Sequence, residues 1–344
     1  MQSNSNNSKK AIERIRVGRQ DRDNVAAIFE GLSKGRRDAL GKAITWVESN
    51  NVNHFEKTEE LLALCLPHSG KSWRIGITGV PGVGKSTFIE TFGMALIAAG
   101  KKVAVLAIDP SSQRSKGSIL GDKTRMDELS KHEMAFVRPS PASDTLGGVT
   151  RATRESILLC EAAGFDVILV ETVGVGQSET AVNGMVDFFL LLLLAGAGDE
   201  LQGIKRGIME MADAVLITKA DGENVQAAKK ASTQIKSALH LFPAAENGWT
   251  PTVAICSALE NIGIESFISA LHSYFENITH TGWMSDNRTK QDIDWLHEAI
   301  RNEILQQFRS NPANLKSIAA IEEDVKNKVI TPFAAARKVV KNGR

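Results

Sequence analysis

The nine residues from Gly79 to Thr87 constrain the fold more than any other part of this 344-residue chain. They read Gly-Val-Pro-Gly-Val-Gly-Lys-Ser-Thr, after an apolar run that ends at Thr78 and before helical spacing that starts at Phe88. The pattern G-x-x-x-x-G-K-[ST] between a strand and a helix is the phosphate-binding loop (P-loop) of nucleotide-binding α/β domains. The flanking segments favour this interpretation over a glycine-rich turn that carries a surface lysine.

Each residue type in the loop suits phosphate binding. Glycines let backbone N–H groups turn toward the α- and β-phosphates, and the following helix directs the positive end of its dipole at them. Lys85 adds a charge for the β- and γ-phosphates, and the Ser86 hydroxyl is placed to ligate Mg²⁺. We therefore predict nucleotide contacts from Gly79, Val80, Pro81, Gly82, Val83, Gly84, Lys85, Ser86 and Thr87.

The middle of the chain alternates short apolar runs with helical patterns. This alternation predicts an α/β fold of the P-loop NTPase type, with a mostly parallel sheet covered by helices on both faces. Helical spacing toward each terminus predicts an N-terminal helical extension (residues 1–70) and a C-terminal one (283–344), around a nucleotide-binding domain at 71–282. The terminal helices either cap the core of the sheet or form the contact between two subunits. The six predicted strands are 73–79, 103–109, 166–171, 188–194, 214–218 and 253–256.

Composition excludes several classes of protein. Lysine plus arginine number 41 against 40 acidic residues, so nothing favours a nucleic-acid partner. The longest apolar run, residues 188–198, is too short to span a membrane and predicts a buried strand with its loop. Three widely spaced cysteines indicate neither disulfides nor zinc, and the polar start does not resemble a secretory signal. We expect a cytoplasmic protein.

A second motif indicates which base is bound. Residues 218–221, Thr-Lys-Ala-Asp, follow an apolar strand and resemble the guanine-recognition pattern N-K-x-D. The Asp221 carboxylate only accepts hydrogen bonds and suits the adjacent N–H donors of guanine, which adenine lacks. Lys219 can lay its stem on the base. Thr218 replaces the asparagine of the pattern, so we expect some loss of base affinity with little loss of guanine preference.

A third segment supports guanine binding. After the strand at 253–256, the sequence resembles the S-A-[KL] loop whose backbone N–H approaches guanine O6. We expect this contact from Ser257, Ala258 and Leu259.

Acidic residues at strand ends are candidates for the Mg²⁺ shell and catalysis. Glu171 ends an apolar strand, where P-loop proteins place the carboxylate of the outer Mg²⁺ shell. Residues 171–174 stand where many GTPases have D-x-x-G, which makes the Gly174 N–H the candidate γ-phosphate sensor. Asp109 and Asp122 are candidate metal-shell or water-positioning carboxylates, or else a helix cap and a solvated loop acid. The residue directly after Gly174 is Val175 and not a glutamine, so Gln177 or another group would have to orient the attacking water. This favours slow hydrolysis that needs a partner.

Several longer motifs together resemble one family. They are Gly-Val-Pro-Gly-Val-Gly-Lys-Ser-Thr, Ile-Asp-Pro-Ser-Ser, Gly-Ser-Ile-Leu-Gly-Asp-Lys-Thr-Arg-Met, Val-Glu-Thr-Val-Gly-Val-Gly-Gln-Ser-Glu and Gly-Asp-Glu-Leu-Gln-Gly-Ile-Lys-Arg-Gly-Ile. From about residue 9 to residue 344, the chain resembles the methylmalonyl-CoA mutase-associated GTPases, the MeaB/ArgK group of metallochaperone-type P-loop GTPases. The resemblance implies a homodimer that uses GTP and Mg²⁺, binds an adenosylcobalamin-dependent acyl-CoA mutase, and gates loading, protection or rescue of its cofactor.

The resemblance also implies that residues 199–208 form a mobile switch between the partner and the nucleotide. Lys205 and Arg206 lie there beside two glycines, so either cation is a candidate to stabilise developing phosphate charge. The alternative is a solvated basic turn.

Other functions remain to be compared. A metal-insertion GTPase is the alternative within the same superfamily, but the seven histidines are scattered. A P-loop kinase and a purely structural binding module with a degenerate site are alternatives from other classes.

Overall fold

The computed structural model describes residues 24–49, 51–108, 126–139, 146–172, 178–195, 206–243 and 245–342. The chain divides into two compact units, Met1–Met284 and Ser285–Arg344. The candidate residues Asp109, Asp122, Gly174 and Lys205 lie outside the described residues.

The first unit contains a seven-stranded sheet in which every neighbouring pair is parallel. Its order is β3-β2-β4-β1-β5-β6-β7, which confirms the predicted α/β fold. Because parallel sheets are covered on both faces, their strands are nearly continuous apolar runs. The strands are β1 (Trp73–Gly79), β2 (Val103–Ile108), β3 (Ala135–Arg138), β4 (Val167–Thr172), β5 (Phe188–Leu194), β6 (Ala214–Thr218) and β7 (Thr252–Ile255).

Helices alternate with these strands and continue to both ends of the described chain. In the first unit they are α1 (Val25–Ser33), α2 (Arg37–Val47), α3 (Val52–Cys65), α4 (Lys85–Ala98), α5 (Asp127–Lys131), α6 (Leu146–Ala162), α7 (Ser178–Asn183), α8 (Arg206–Glu210), α9 (Val225–Leu239) and α10 (Ile264–His280). Helix α11 (Trp283–Ser310) begins at the end of this unit and continues into the second, followed by α12 (Pro312–Lys326) and α13 (Pro332–Asn342). None of the described helices has the length and apolar character needed to cross a membrane.

The central strand β1 presents different side chains to the two faces of the sheet. Ile75 and Ile77 belong to a buried cluster with aromatic residues of α4 and α10, including Phe88 and Phe267. On the opposite face Gly76 lies under α7, where an added Cβ would come within 2.8 Å of Val182 Cγ1. This close approach keeps α7 directly against the strand that leads into the P-loop.

The N-terminal helices belong to the same compact unit as the sheet, and α2 and α3 both pack against α6. Helix α6 is joined to the start of β1 by a buried ion pair. Glu161 accepts hydrogen bonds from Arg74 Nε and Nη2 at 3.0 and 2.9 Å and from the Ser72 hydroxyl at 2.6 Å. Burying two charged side chains is costly unless they are paired, and these three hydrogen bonds supply that pairing.

In the second unit, α12 packs against α13. Asn311 caps α12 because its side chain accepts a hydrogen bond from Ala313 N at 3.0 Å, and Pro312 occupies the first turn. Helix α11 carries a stripe of exposed apolar side chains at helical spacing. These are Ile293, Leu296, Ile300 and Ile304, each between 46% and 62% exposed.

Candidate nucleotide site

The P-loop connects the end of β1 to the start of α4. A Cβ on Gly79 would lie 2.6 Å from the Leu192 carbonyl oxygen of β5, so this position admits only glycine without movement. Gly82 and Gly84 have φ values of +80° and +94°, the left-handed region that glycine adopts without strain. The backbone conformation of the loop therefore requires glycine at these three positions.

Lys85 is buried at the first position of α4. Its Nζ donates to the Gly79 carbonyl at 2.7 Å, which holds the ammonium group against the loop. Burial lowers the pKa of Lys85, while the carboxylates of Glu171 and Glu179 act in the opposite direction. Both acids thus lie near the lysine that the sequence assigns to phosphate binding.

Sequence reasoning gave Glu179 no role. It lies in the first turn of α7 and is only 6% exposed, which is unusual for a glutamate. A signal was present, because Glu179 is the last residue of the motif Val-Glu-Thr-Val-Gly-Val-Gly-Gln-Ser-Glu.

Two predicted magnesium ligands lie on the edge of the sheet where the strands end. Half-buried Glu171 sits on β4 beside Ile77 of β1, and Ser86 is half-buried in the first turn of α4. Strand β4 continues one residue further, to Thr172, whose hydroxyl donates to Thr78 Oγ1 at 2.8 Å. A carboxylate and a hydroxyl are the hard oxygen donors that Mg²⁺ prefers, so these residues fit the ion.

The predicted base-recognition residues come together at the same edge. The Ser257 hydroxyl donates to Asp221 Oδ2 at 2.5 Å, which joins the loops that follow β6 and β7. The Ala258 carbonyl accepts a hydrogen bond from the Thr91 hydroxyl of α4 at 3.0 Å. Leu259 is 80% exposed. The Asp221 carboxylate is therefore oriented by a neighbour while it remains partly accessible.

Lys219 and Thr218 both contact the P-loop. Lys219 has a φ of +55°, and its Nζ donates to the Gly82 carbonyl at 2.8 Å. Thr218 is buried, and its hydroxyl lies 2.7 Å from the Val83 carbonyl oxygen and 3.2 Å from that of Leu193. The predicted base segment and the predicted phosphate segment are thus joined directly.

Arg206 lies elsewhere. Its Nε donates to Glu210 at 3.0 Å, and its guanidinium lies over the Phe242 ring, 5.6 Å from the centroid. Helix α8 directly precedes β6, so Arg206 lies near the amino end of that strand, whereas the P-loop lies at the carboxyl edge. A five-residue strand separates the two edges by about 16 Å.

A metal site beyond the P-loop would need a cluster of ligating side chains. Within the residues that the structure describes, no group of three or more histidine, cysteine, aspartate or glutamate side chains is arranged to hold a metal ion. The three cysteines are buried and unpaired.

Comparisons with known proteins give a consistent result. The profile of the family described as "Methylmalonyl Co-A mutase-associated GTPase MeaB" matches residues 40–313. The chain is 49% identical over 320 residues to a probable GTPase of Mycobacterium tuberculosis (93% of this chain, 95% of that protein). It is 45% identical over 315 residues to the GTPase ArgK of Escherichia coli K12 (92% and 95%).

A mouse relative and a solved structure extend the comparison. The chain is 44% identical over 327 residues to the mouse mitochondrial methylmalonic aciduria type A homolog (92% of this chain, 79% of that protein). The crystal structure of a protein described as a LAO/AO transport system kinase superposes with a TM-score of 0.74 at 38% identity and covers 92% of this chain and 96% of that one.

Proposed function

Because the chain belongs to the methylmalonyl-CoA mutase-associated GTPases of the MeaB family and is a GTPase, we propose that it serves an adenosylcobalamin-dependent acyl-CoA mutase as a chaperone. In this proposal it binds the mutase, which we take to be methylmalonyl-CoA mutase, and its GTP cycle gates cofactor loading, protection or reactivation. The name of the mouse relative, which refers to methylmalonic aciduria, supports the same assignment.

The observation that carries the proposal is the joining of phosphate and base segments within a chain that matches this family. The Thr218 and Lys219 contacts with the P-loop, and the Ser257 bond to Asp221, join the predicted phosphate segment to the two predicted base segments. Such a site reads guanine at one end and phosphates at the other.

In the proposed site each side chain has one task. Lys85 would stabilise negative charge between the β- and γ-phosphates, and Ser86, Glu171 and Asp109 would hold Mg²⁺. The bound Mg²⁺ would neutralise phosphate charge. Among residues outside the described ones, we assign the γ-phosphate contact to the Gly174 N–H, the charge-stabilising cation to Lys205, and water positioning to Asp122.

We also propose that the protein is a homodimer in the cytoplasm. The exposed stripe on α11 offers an apolar face that a second copy can cover, since closed two-fold dimers bury the same patch on both partners. Three unpaired cysteines suit a reducing compartment. Light scattering on the full chain, which should give twice the chain mass, tests the dimer.

A pull-down tests the mutase assignment. The tagged chain, loaded with a non-hydrolysable GTP analogue or with GDP, is mixed with purified methylmalonyl-CoA mutase, and the captured mutase is quantified. Capture that depends on the nucleotide supports the proposal. Equal background capture in both states and without nucleotide contradicts it.

A kinase is the second candidate to test, because the similar crystal structure is described as that of a transport system kinase. A hydrolase releases phosphate from GTP in the absence of any acceptor, whereas a kinase transfers it to one. Release of one free phosphate per GTP consumed, with no labelled acceptor, supports the GTPase mechanism. Metal insertion would require bound transition metal, which elemental analysis of the purified chain detects.

A further inference from the structure

Thr218 occupies the position that the guanine pattern gives to asparagine, yet its closest contact is with the P-loop, which is the predicted phosphate segment. The side chain is buried at the carboxyl end of β6. Its hydroxyl has a single proton and two carbonyl acceptors within reach, and the closer acceptor is Val83 of the P-loop at 2.7 Å. That carbonyl, rather than the one in β5, is therefore its principal partner.

The direction of the Val83 carbonyl also fixes the direction of the next N–H. A trans peptide unit is planar, so its C=O and N–H point to opposite sides. When the Thr218 hydroxyl holds the Val83 C=O toward β6, the Gly84 N–H is turned the other way, at the point where α4 begins. Backbone N–H groups at this place in a P-loop bind the phosphates.

The neighbouring lysine does not do the same. Lys219 Nζ holds the Gly82 carbonyl, and the N–H of that peptide unit belongs to Val83. This N–H already donates within the loop, to the Val80 carbonyl at 3.2 Å. Of these two side chains, Thr218 acts on the peptide whose N–H is left to face a nucleotide.

We infer that Thr218 is a positioning residue for the phosphates rather than a base ligand: its hydroxyl holds the Val83–Gly84 peptide in the orientation that binds the diphosphate. This inference rests on the proposed guanine-nucleotide site. It predicts that Thr218 sets affinity for the diphosphate group regardless of the base, whereas Asp221 sets the choice of base.

The test separates the two ends of the nucleotide. Binding of GDP and of IDP, which lacks the exocyclic amino group of guanine, is measured by titration calorimetry on the full chain. Thr218→Val removes the hydroxyl with little change of shape, and Thr218→Ala removes it without placing a methyl group against the carbonyls. Thr218→Ser keeps the hydroxyl. Thr153→Val is the matched control, because Thr153 is equally buried and donates to the Val149 carbonyl within α6 at 2.9 Å.

Loss of the hydroxyl should weaken GDP and IDP by the same factor, about 5- to 150-fold, because a buried carbonyl loses its partner. Thr218→Ser should stay within about threefold of wild type, and Thr153→Val should bind normally. Asp221→Asn should instead reduce the ratio between GDP and IDP affinity.

If wild-type binding is normal and GDP affinity is unchanged in both Thr218→Val and Thr218→Ala, this inference is overturned but the proposed nucleotide site is not. A change in the ratio of GDP to IDP affinity in these variants also overturns it, since that result makes Thr218 a base ligand. Failure of the wild-type chain to bind GDP overturns the proposed site as well.

Discussion

Guanine selectivity depends at the residue scale on the Asp221 carboxylate, which Ser257 orients from the next loop. Two donors of guanine meet this one carboxylate, and adenine cannot present them together. An unpaired polar group costs about 1 to 3 kcal/mol, so ATP should bind at least tenfold more weakly than GTP. Calorimetry measures both affinities, with the exposed Glu260→Gln as the control variant. Equal affinity for GTP and ATP would contradict the assignment.

Lys85 and Glu171 should fail in different ways when replaced. Lys85→Ala removes the charge at the β/γ bridge and should abolish hydrolysis, because the stabilisation of the transition state is lost. Glu171→Ala should retain part of the nucleotide binding and require more Mg²⁺ for turnover. Phosphate release measured across a range of Mg²⁺ concentrations distinguishes the two. Wild-type turnover of Glu171→Ala at low Mg²⁺ would show that Glu171 is not in the outer shell.

At the scale of elements, a buried polar cluster holds the amino ends of β5 and β6 together. Asp213 accepts from the Phe189 N–H at 2.8 Å and from Asn247 Nδ2 at 3.2 Å, and the Tyr274 hydroxyl donates to the Asp187 carbonyl at 2.7 Å. Burial raises the pKa of Asp213 to about 7, although the hydrogen bonds oppose this shift.

This pKa predicts how stability depends on pH. The folded state binds the Asp213 proton more tightly than the unfolded chain does. The protonated carboxyl group therefore contributes fully to the free energy of unfolding below the unfolded pKa of 3.8, and this contribution is lost as pH rises through about 7. Between pH 5 and 8 the free energy of unfolding should fall by about 3 kcal/mol, at about 1.4 kcal/mol per pH unit between pH 5 and the folded pKa. Urea melts at both pH values measure it. Asp213→Asn should remove this part of the pH dependence of the unfolding free energy. If the variant shows the same pH dependence as the wild type, groups other than Asp213 cause it.

For the whole molecule, we predict that the proposed mutase partner accelerates hydrolysis. Intrinsic turnover should be slow and should rise when the mutase binds, with Lys205 as the proposed cation. An arginine-finger-type group contributes about 10³ to 10⁵ in rate, and a lysine should give less. Lys205→Ala should keep basal phosphate release and lose the stimulation. If the mutase prefers the GTP state, GTP must bind the complex more tightly by the same factor.

Arg206→Ala serves as the matched control for this experiment. Arg206 is bonded to Glu210 and covers Phe242 near the amino end of β6, so its removal should leave stimulation intact. If the mutase still stimulates phosphate release by Lys205→Ala to the normal extent, the cation comes from the partner. If only Arg206→Ala fails to accelerate, the segment must rearrange to carry α8 toward the nucleotide.

The sequence was most informative where one local rule decides the structure. Buried parallel strands are continuous apolar runs, so six strands were predicted with ends within one residue of those observed. The seventh, β3, was missed because it is a four-residue edge strand in which only Ala135 and Phe136 are buried. Glycine spacing likewise predicted the P-loop, since its backbone conformation is determined by residues within the loop, such as Gly82 and Gly84 with positive φ.

Long-range contacts were not predictable in the same way. The Thr218 hydroxyl and the Val83 carbonyl are 135 positions apart, and no pattern in the chain shows that they meet. From the sequence, Thr218 appeared only as the loss of an amide. Glu179 was missed for a similar reason, because its burial depends on how α7 packs over β1 and β4.

The place of β1 in the sheet has a consequence for synthesis on the ribosome. Its two neighbours, β4 and β5, both come later in the chain, so β1 emerges with neither hydrogen-bonding edge paired. An apolar strand with open edges is prone to aggregate; β4 can pair with one edge once the chain has grown past residue 172, but the other edge stays open until β5 is complete at residue 194. The nascent chain therefore needs shielding over this interval, and ribosome-bound fragments that end before β5 should be the ones that general holdase chaperones retain.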